Sequence, residues 1–368
     1  MDTKKIDLKP CVFAVNKTYQ ILIPVIRASL MWIKIGDHCY YDDSNGILRS
    51  QNMVHRITVP MEELDAIGKY TVCERVLIER KPYFSETEDL CEYEFAFYPV
   101  KEKNARAYHI SDTHNMTEEP IRAAKAFGEF DFLILNGDVP EDSGSIENFD
   151  VIYKIVFALT GGEKPVVFSR GNHDLRGIYA ERLVEFTPND YGKTYYTFRL
   201  GTIWGIVLDC GEDKDDSHPE YGNTVCCHAF RKKQSMFIRE VIENAENEYL
   251  QDGIETRLVI VHNPFTEQIG EPFNIEEELY KEWAELLKKH ICPDLMVCGH
   301  IHELYVSYPG DEHDSLGHPC PVLVSSLVDH EKNYYVGCGL EFGDNIRGTF
   351  TSSEASVVGE FIIDKKEL

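Results

Sequence analysis

Residues 168–177 read FSRGNHDLRG, so that Asn172, His173 and Asp174 stand side by side just after Gly171. The run leading into them, KPVVF, is short and apolar, the pattern of a strand buried on both faces. Gly-Asn and His-Asp are ordinary turn material, so a plain turn is one explanation. The other is that a core strand delivers an amide, an imidazole and a carboxylate to a shared site. The rest of the chain decides between them.

Four more apolar runs end in the same way. ARAYHIS leads to Asp112 and His114, DFLILNG to Asp138, TRLVIV to His262, and DLMVCG to His300 and His302. In open α/β sheets, sites form just beyond the carboxyl ends of the strands, so these groups would meet at one edge. Each pair alone is a weak signal; all of them in order, each in its expected context, are a strong one. Mixed imidazole and carboxylate donors suit zinc, manganese or iron. Asp112, His114, Asp138, Asn172, His262, His300 and His302 exceed what one tetrahedral ion accepts. Two ions about 3.5–4 Å apart, sharing one carboxylate, would use them all.

From Ala105 onward, apolar strands alternate with helical patterns such as EEPIRAAKAFGEF, ENFDVIYKIVFALTGG and NIEEELYKEWAELLKKH. That alternation predicts a layered α/β domain. In the last pattern Asn274 is the expected N-cap, with Glu277 three positions on. Residues 1–104 read differently: TYQILIPVI, HRITVP and GKYTVCERVLIER are rich in Val, Ile, Tyr and Thr and predict a small antiparallel β-sandwich. The expected organisation is therefore an all-β domain over 1–104 and an α/β domain over 105–368. The acidic stretch LDCGEDKDD, residues 208–216, follows another strand and would form a rim of the site.

The formal net charge of the 368-residue chain is -26. Such a surface repels polyanions, and nucleic-acid binding needs Lys and Arg against phosphates, so no nucleic-acid partner is expected. No run approaches the ~20 apolar residues of a membrane helix. The early lysines lead into no signal core, and the cysteines form no Cys-x-x-Cys pair, so a cytoplasmic location is expected.

The order Asp-x-His, Gly-Asp, Gly-Asn-His-Asp, His, Gly-His-x-His resembles the signature of the calcineurin-like metallophosphoesterases, from about Ala105 to Phe361. The resemblance implies a four-layer α-β-β-α sandwich and two divalent metal ions, Mn, Fe or Zn. It implies that Asp112, His114, Asp138 and His302 hold one ion. Asp138 would bridge to a second, held with Asn172, His262 and His300. His173 would meet the phosphate and assist the leaving group, with Asp174 orienting its ring. The implied reaction is hydrolysis of a small phosphomonoester or phosphodiester by metal-activated hydroxide. The N-terminal β region also resembles that of purple acid phosphatases, but two positions depart. Their first motif lacks the histidine found here at His114, and a tyrosine stands where this chain has Glu141, so no purple ferric centre is expected. Arg176 and His228 are candidate substrate contacts. The competing expectation is a non-catalytic metal-binding interaction module of the same fold; such members lose ligands or the histidine, and this chain keeps them.

Overall fold

In the computed structural model, which describes residues 8–44, 46 and 51–365, two large sheets pack face to face and helices cover their outer faces. Among the described residues the first sheet has ten strands and the second has six. The centre of the first is parallel, with Phe132–Asn136 between Ala105–Ile110 and Pro165–Ser169. In the second, Ile203–Val207, Thr256–Ile260, Leu295–Cys298 and Val322–Val324 run parallel in that order.

Alternate residues of each strand enter different cores. Ala107, Ile134 and Val167 face Leu258, Ile260 and Val297 between the two sheets. Leu133, Leu135 and Val166 turn the other way, onto Ala123 of helix Glu118–Phe127 and Ile152 of helix Asp150–Thr160. Val259 and Met296 turn outward onto Ile238 of helix Cys227–Glu243 and Trp283 of helix Glu277–Leu286. Both strand faces are dry, which is why the sequence shows continuous apolar runs instead of alternation. The result is the expected four-layer α-β-β-α sandwich.

The first hundred residues are mostly β, as expected, with one seven-residue helix at Met61–Ile67. They are nevertheless divided between two sheets. Ser29–Ile35, His38–Tyr41, Lys69–Glu79, Glu86–Thr87 and Cys91–Ala96 make a five-stranded sheet of their own. Cys11–Val15 instead pairs in parallel with Pro165–Ser169, and Thr18–Pro24 and Val54–Pro60 continue that large sheet. A boundary at residue 104 thus leaves three strands of the first sheet on its N-terminal side. The run CVFAV is buried along its whole length. It turns the strand that carries Asn172 from an edge strand into an interior one, with its backbone groups paired on both sides.

Two other features differ from the sequence reading. Tyr334–Phe342 and Asn345–Ser352 are strands that the sequence did not reveal. Their glycines mask the pattern: a Cβ on Gly339 would stand 2.2 Å from the Phe127 ring, so the missing side chain makes room for an aromatic lying on the sheet. Asn274 does not cap its helix, because Glu276 intervenes at φ 56 and the Asn274 side chain accepts from the Gly270 N–H at 2.9 Å. Among the described residues, no helix is long and apolar enough to cross a membrane.

Candidate metal centre

The strands end in an unusual backbone. Asp112, His114, Asp138, His300 and His302 have φ of 53°, 44°, 52°, 69° and 58°. Left-handed backbone costs a non-glycine residue about 1–3 kcal/mol and gathers at functional sites. Here it turns each side chain sharply off the strand axis. Main-chain bonds hold the turns: the Asp112 N–H donates to the Gly137 carbonyl at 3.0 Å and the His114 N–H to the Asp138 carbonyl at 3.1 Å. The His300 N–H donates to Asp112 Oδ2 at 3.0 Å, and the His173 N–H to Asp138 Oδ1 at 2.8 Å. The motif glycines permit this crowding. A Cβ on Gly171 would stand 2.1 Å from Asp138 Oδ1, and one on Gly299 would stand 1.9 Å from Ser111 Oγ.

The donors converge in overlapping groups. Asp112, His114 and His302 present ligand atoms within 4.8 Å of one another, as do Asp138, His262 and His300. His262 Nε2 lies 3.1 Å from Asp138 Oδ2 and 3.7 Å from Asp112 Oδ1, so it sits between the two carboxylates. His114 Nε2 and His302 Nε2 face each other at 3.2 Å. Asn172 Oδ1 lies 3.1 Å from His300 Nδ1. The same end of the amide is 3.3 Å from Asp138 Oδ2. Rotated, the amide donates to both neighbours and its oxygen accepts from Arg176 Nη2 at 2.9 Å; unrotated, its oxygen would need a cation between it and those neighbours, and its NH2 would face the guanidinium. The donor set therefore fits a pair of divalent ions.

Outer contacts aim the ligands. His262 Nδ1 donates to the Asn136 carbonyl at 2.7 Å, which turns Nε2 inward, the usual support of a metal-binding imidazole. Ser326 Oγ donates to Asp112 Oδ2 at 2.5 Å. His109 lies behind the site, on Ser325 Oγ at 2.6 Å and the Asn136 amide at 3.1 Å, and burial pushes its pKa down to about 3. The charges respond to the same packing. Burial alone would lower His262, but the Asp138 and Asp112 carboxylates outweigh it and carry its pKa up to about 10. Burial would raise Asp138, and the His262 charge overrides it and holds the carboxyl at about 2. Burial lowers His300 to about 4, leaving a neutral ring, the form that binds metal. An ion arriving at His262 must therefore displace a proton.

His173 has both ring nitrogens occupied. Nδ1 donates to the Glu141 carbonyl at 2.9 Å, and Nε2 accepts from Arg176 Nη1 at 2.8 Å. It thus has no free lone pair, although its ring joins His114 and Asp138 in a third group of ligand atoms within 4.8 Å of one another. The expected orienting role of Asp174 does not fit the structure. Its Oδ2 accepts from the Gly171 N–H at 2.7 Å and the Asp138 N–H at 3.3 Å, and the residue is fully buried. Burial, then the charge of Asp138, pushes its pKa up to about 7. Asp174 is a staple between two motifs, and the Glu141 carbonyl orients the ring. Asp174→Ala should therefore cost about 1–3 kcal/mol for each N–H left bare. Asp174→Asn, which keeps an acceptor, should recover most of that in urea unfolding.

Arg176 is brought to the site and His228 is not. Arg176 Nε and Nη2 each bond Glu212 at 3.1 Å, a two-pronged contact with a buried carboxylate. Its remaining nitrogen reaches His173. His228 is exposed and bonds Glu276 at 2.9 Å, with no contact to a candidate ligand. Arg170 is spent elsewhere, on Asp209 at 2.7 Å. Sequence reasoning missed Glu212 as the anchor of Arg176, although it lies in the acidic stretch read as a rim. That stretch is fixed by Arg231, only 1% exposed, which donates to the Cys210 carbonyl at 2.7 Å, to the Glu212 carbonyl and to Glu276 at 2.9 Å. Arg231→Ala would leave the Cys210 and Glu212 carbonyls bare, while Glu276 keeps His228, and should cost about 1–3 kcal/mol for each bare carbonyl in thermal or urea unfolding.

Comparison with known proteins agrees with this geometry. The family model described as calcineurin-like phosphoesterase matches residues 105–304. No functionally curated protein matches the chain in sequence. Among solved structures, the purple acid phosphatase PPD1 of yellow lupin (Lupinus luteus) seeds is similar at a TM-score of 0.61 and 13% identity. The alignment covers 97% of this chain and 74% of that one. Vps29 of Chaetomium thermophilum (TM-score 0.32, 9% identity, 72% of this chain and 99% of that one) and TT1561 of Thermus thermophilus (0.35, 16%, 64% and 98%) are more distant. The family match spans more than half of the chain and contains every strand-end motif of the site: the chain belongs to the calcineurin-like phosphoesterase family.

Proposed function

We propose that the chain is a dinuclear metal-dependent phosphoesterase that hydrolyses a small phosphomonoester or phosphodiester. The observation that carries this reading is the convergence of Asp112, His114, Asp138, Asn172, His262, His300 and His302 at one edge of two sheets, with imidazole facing imidazole and the Asn172 amide against His300 and Asp138. Asp112, His114, Asp138 and His302 would hold one ion; Asp138, Asn172, His262 and His300 would hold the other. When bound, such ions supply Lewis acidity, which acidifies water and offsets charge on phosphoryl oxygens.

The protein's own groups do the rest. His173 stands at the centre, with Nδ1–H held by the Glu141 carbonyl and Nε2 accepting from Arg176 Nη1. When substrate takes up the Arg176 donor, Nε2 is free to exchange a proton or hydrogen bond with the ester oxygen that leaves. Arg176 is positioned by Glu212 to grip a phosphoryl oxygen, a contact that a planar guanidinium makes well. Ser326 and the Asn136 carbonyl keep Asp112 and His262 from turning away as charge builds.

The test is hydrolysis of p-nitrophenyl and bis-p-nitrophenyl phosphate by protein reconstituted with Mn, Fe, Zn or Co. Turnover that requires metal is expected; none with any metal would leave the non-catalytic module as the better account. Arg176→Ala should lower kcat/KM by roughly 10–100-fold, the worth of one charge-assisted hydrogen bond. The metal content of that variant should be unchanged.

A further inference from the structure

A small cavity opens against His300. Its free volume, about 40 Å³, would hold about three waters, so it admits a group of a few heavy atoms. His300 and Glu212 belong both to this cavity and to the surroundings of the metal centre. Whatever enters it is therefore attached to, or close to, whatever sits on the centre.

The lining has a definite chemistry. Ile269, Phe273, Ile275 and Leu316 give it an apolar body. Three carboxylates border it, Glu212, Asp213 and Glu267, and no lysine or arginine does. Their partners approach from outside the lining: Arg176 on Glu212 at 3.1 Å, Lys214 on Asp213 at 3.1 Å, and His313 on Glu267 at 2.6 Å. A further feature is independent of these charges. Asn263, next in sequence to His262, lines the cavity and is only 9% exposed, yet its Oδ1 is buried without a hydrogen-bond partner among the described residues. A buried acceptor left bare is costly, and a donor on a ligand would remove that cost.

We infer that this cavity receives the alcohol portion of the substrate, and that the substrate is a phosphoester of a compact alcohol, neutral or cationic and carrying a hydrogen-bond donor. The inference rests on the reading that the phosphoryl group sits at the metal centre beside Arg176. The carboxylates line the cavity while Arg176, Lys214 and His313 pair with them from outside its lining, so a second anionic group would meet the carboxylates first. They favour an amine or hydroxyl, which also meets Asn263. Substrates with a carboxylate or a further phosphate on the alcohol are selected against.

The test uses phosphonates, which bind but cannot be hydrolysed. Dissociation constants of 3-aminopropylphosphonate, butylphosphonate and 3-phosphonopropionate are measured by calorimetry on the metal-loaded chain. The carboxylate compound should bind about tenfold or more weakly than the amine, a difference that a single nearby charge supplies. The half-buried Gln268, on the same lining, offers a variant outside the metal centre. Gln268→Lys should narrow or reverse the order. Equal affinities, or tighter binding of the carboxylate, overturn the inference. Discriminating binding without hydrolysis of the matching phosphates overturns the phosphoesterase reading and leaves the cavity assignment standing. Failure of all three to bind overturns both.

Discussion

Asp138→Ala is expected to strip the protein of metal and of activity together. Asp138 is the one carboxylate in this account placed to serve both ions, with His262 Nε2 3.1 Å from its Oδ2 and the His173 N–H 2.8 Å from its Oδ1. Removing it leaves His262 without its nearest counter-charge and loosens the turn that carries Asn172 and His173. Lewis-acid catalysis is worth several kcal/mol, so activity should fall by about a thousandfold or more. Elemental analysis after gel filtration should find less than half of the wild-type metal. Full metal with full activity would remove Asp138 from the centre.

His173→Ala should separate the two effects. In the structure both ring nitrogens are occupied by the Glu141 carbonyl and Arg176, so no metal ligand is lost with the ring. A positioned acid-base group contributes about 10²–10⁴-fold, and kcat should fall within that range while metal content stays at the wild-type level. The loss should be smaller for esters of acidic alcohols such as p-nitrophenol, whose departure needs little protonation. Loss of metal in this variant would instead make His173 a ligand, in line with its place near His114 and Asp138.

Much of the centre was legible because its signal is local. Each candidate ligand lies within a few residues of the end of a buried strand, and both the strand and the polar residues that follow it are visible in sequence. The layered α/β character followed from the same runs, and the α-β-β-α order from the resemblance that the motifs carry. What escaped depended on contacts between segments far apart in the chain. CVFAV reads as just another apolar run, and nothing local says that it pairs in parallel with a strand some 150 residues later. Asp174 adjoins His173 in sequence, so an interaction was the natural expectation. The short helical turn at His173–Leu175 sends the two side chains apart and lays Asp174 under Gly171 and Asp138. Glu212 and Asn263 carry no motif at all; their roles come from Arg176 and from a cavity, and both are properties of the folded chain.

The central claim is that two ions sit close together and share Asp138. It is tested most directly by electron paramagnetic resonance of the chain loaded with Mn²⁺, alongside its metal stoichiometry. The account predicts about two ions per chain and the spectrum of an exchange-coupled pair, as expected for ions about 3.5–4 Å apart. In Asp138→Ala that coupling should be lost. A single ion per chain with the spectrum of isolated Mn²⁺, at saturating metal and with the wild-type sequence, would contradict it.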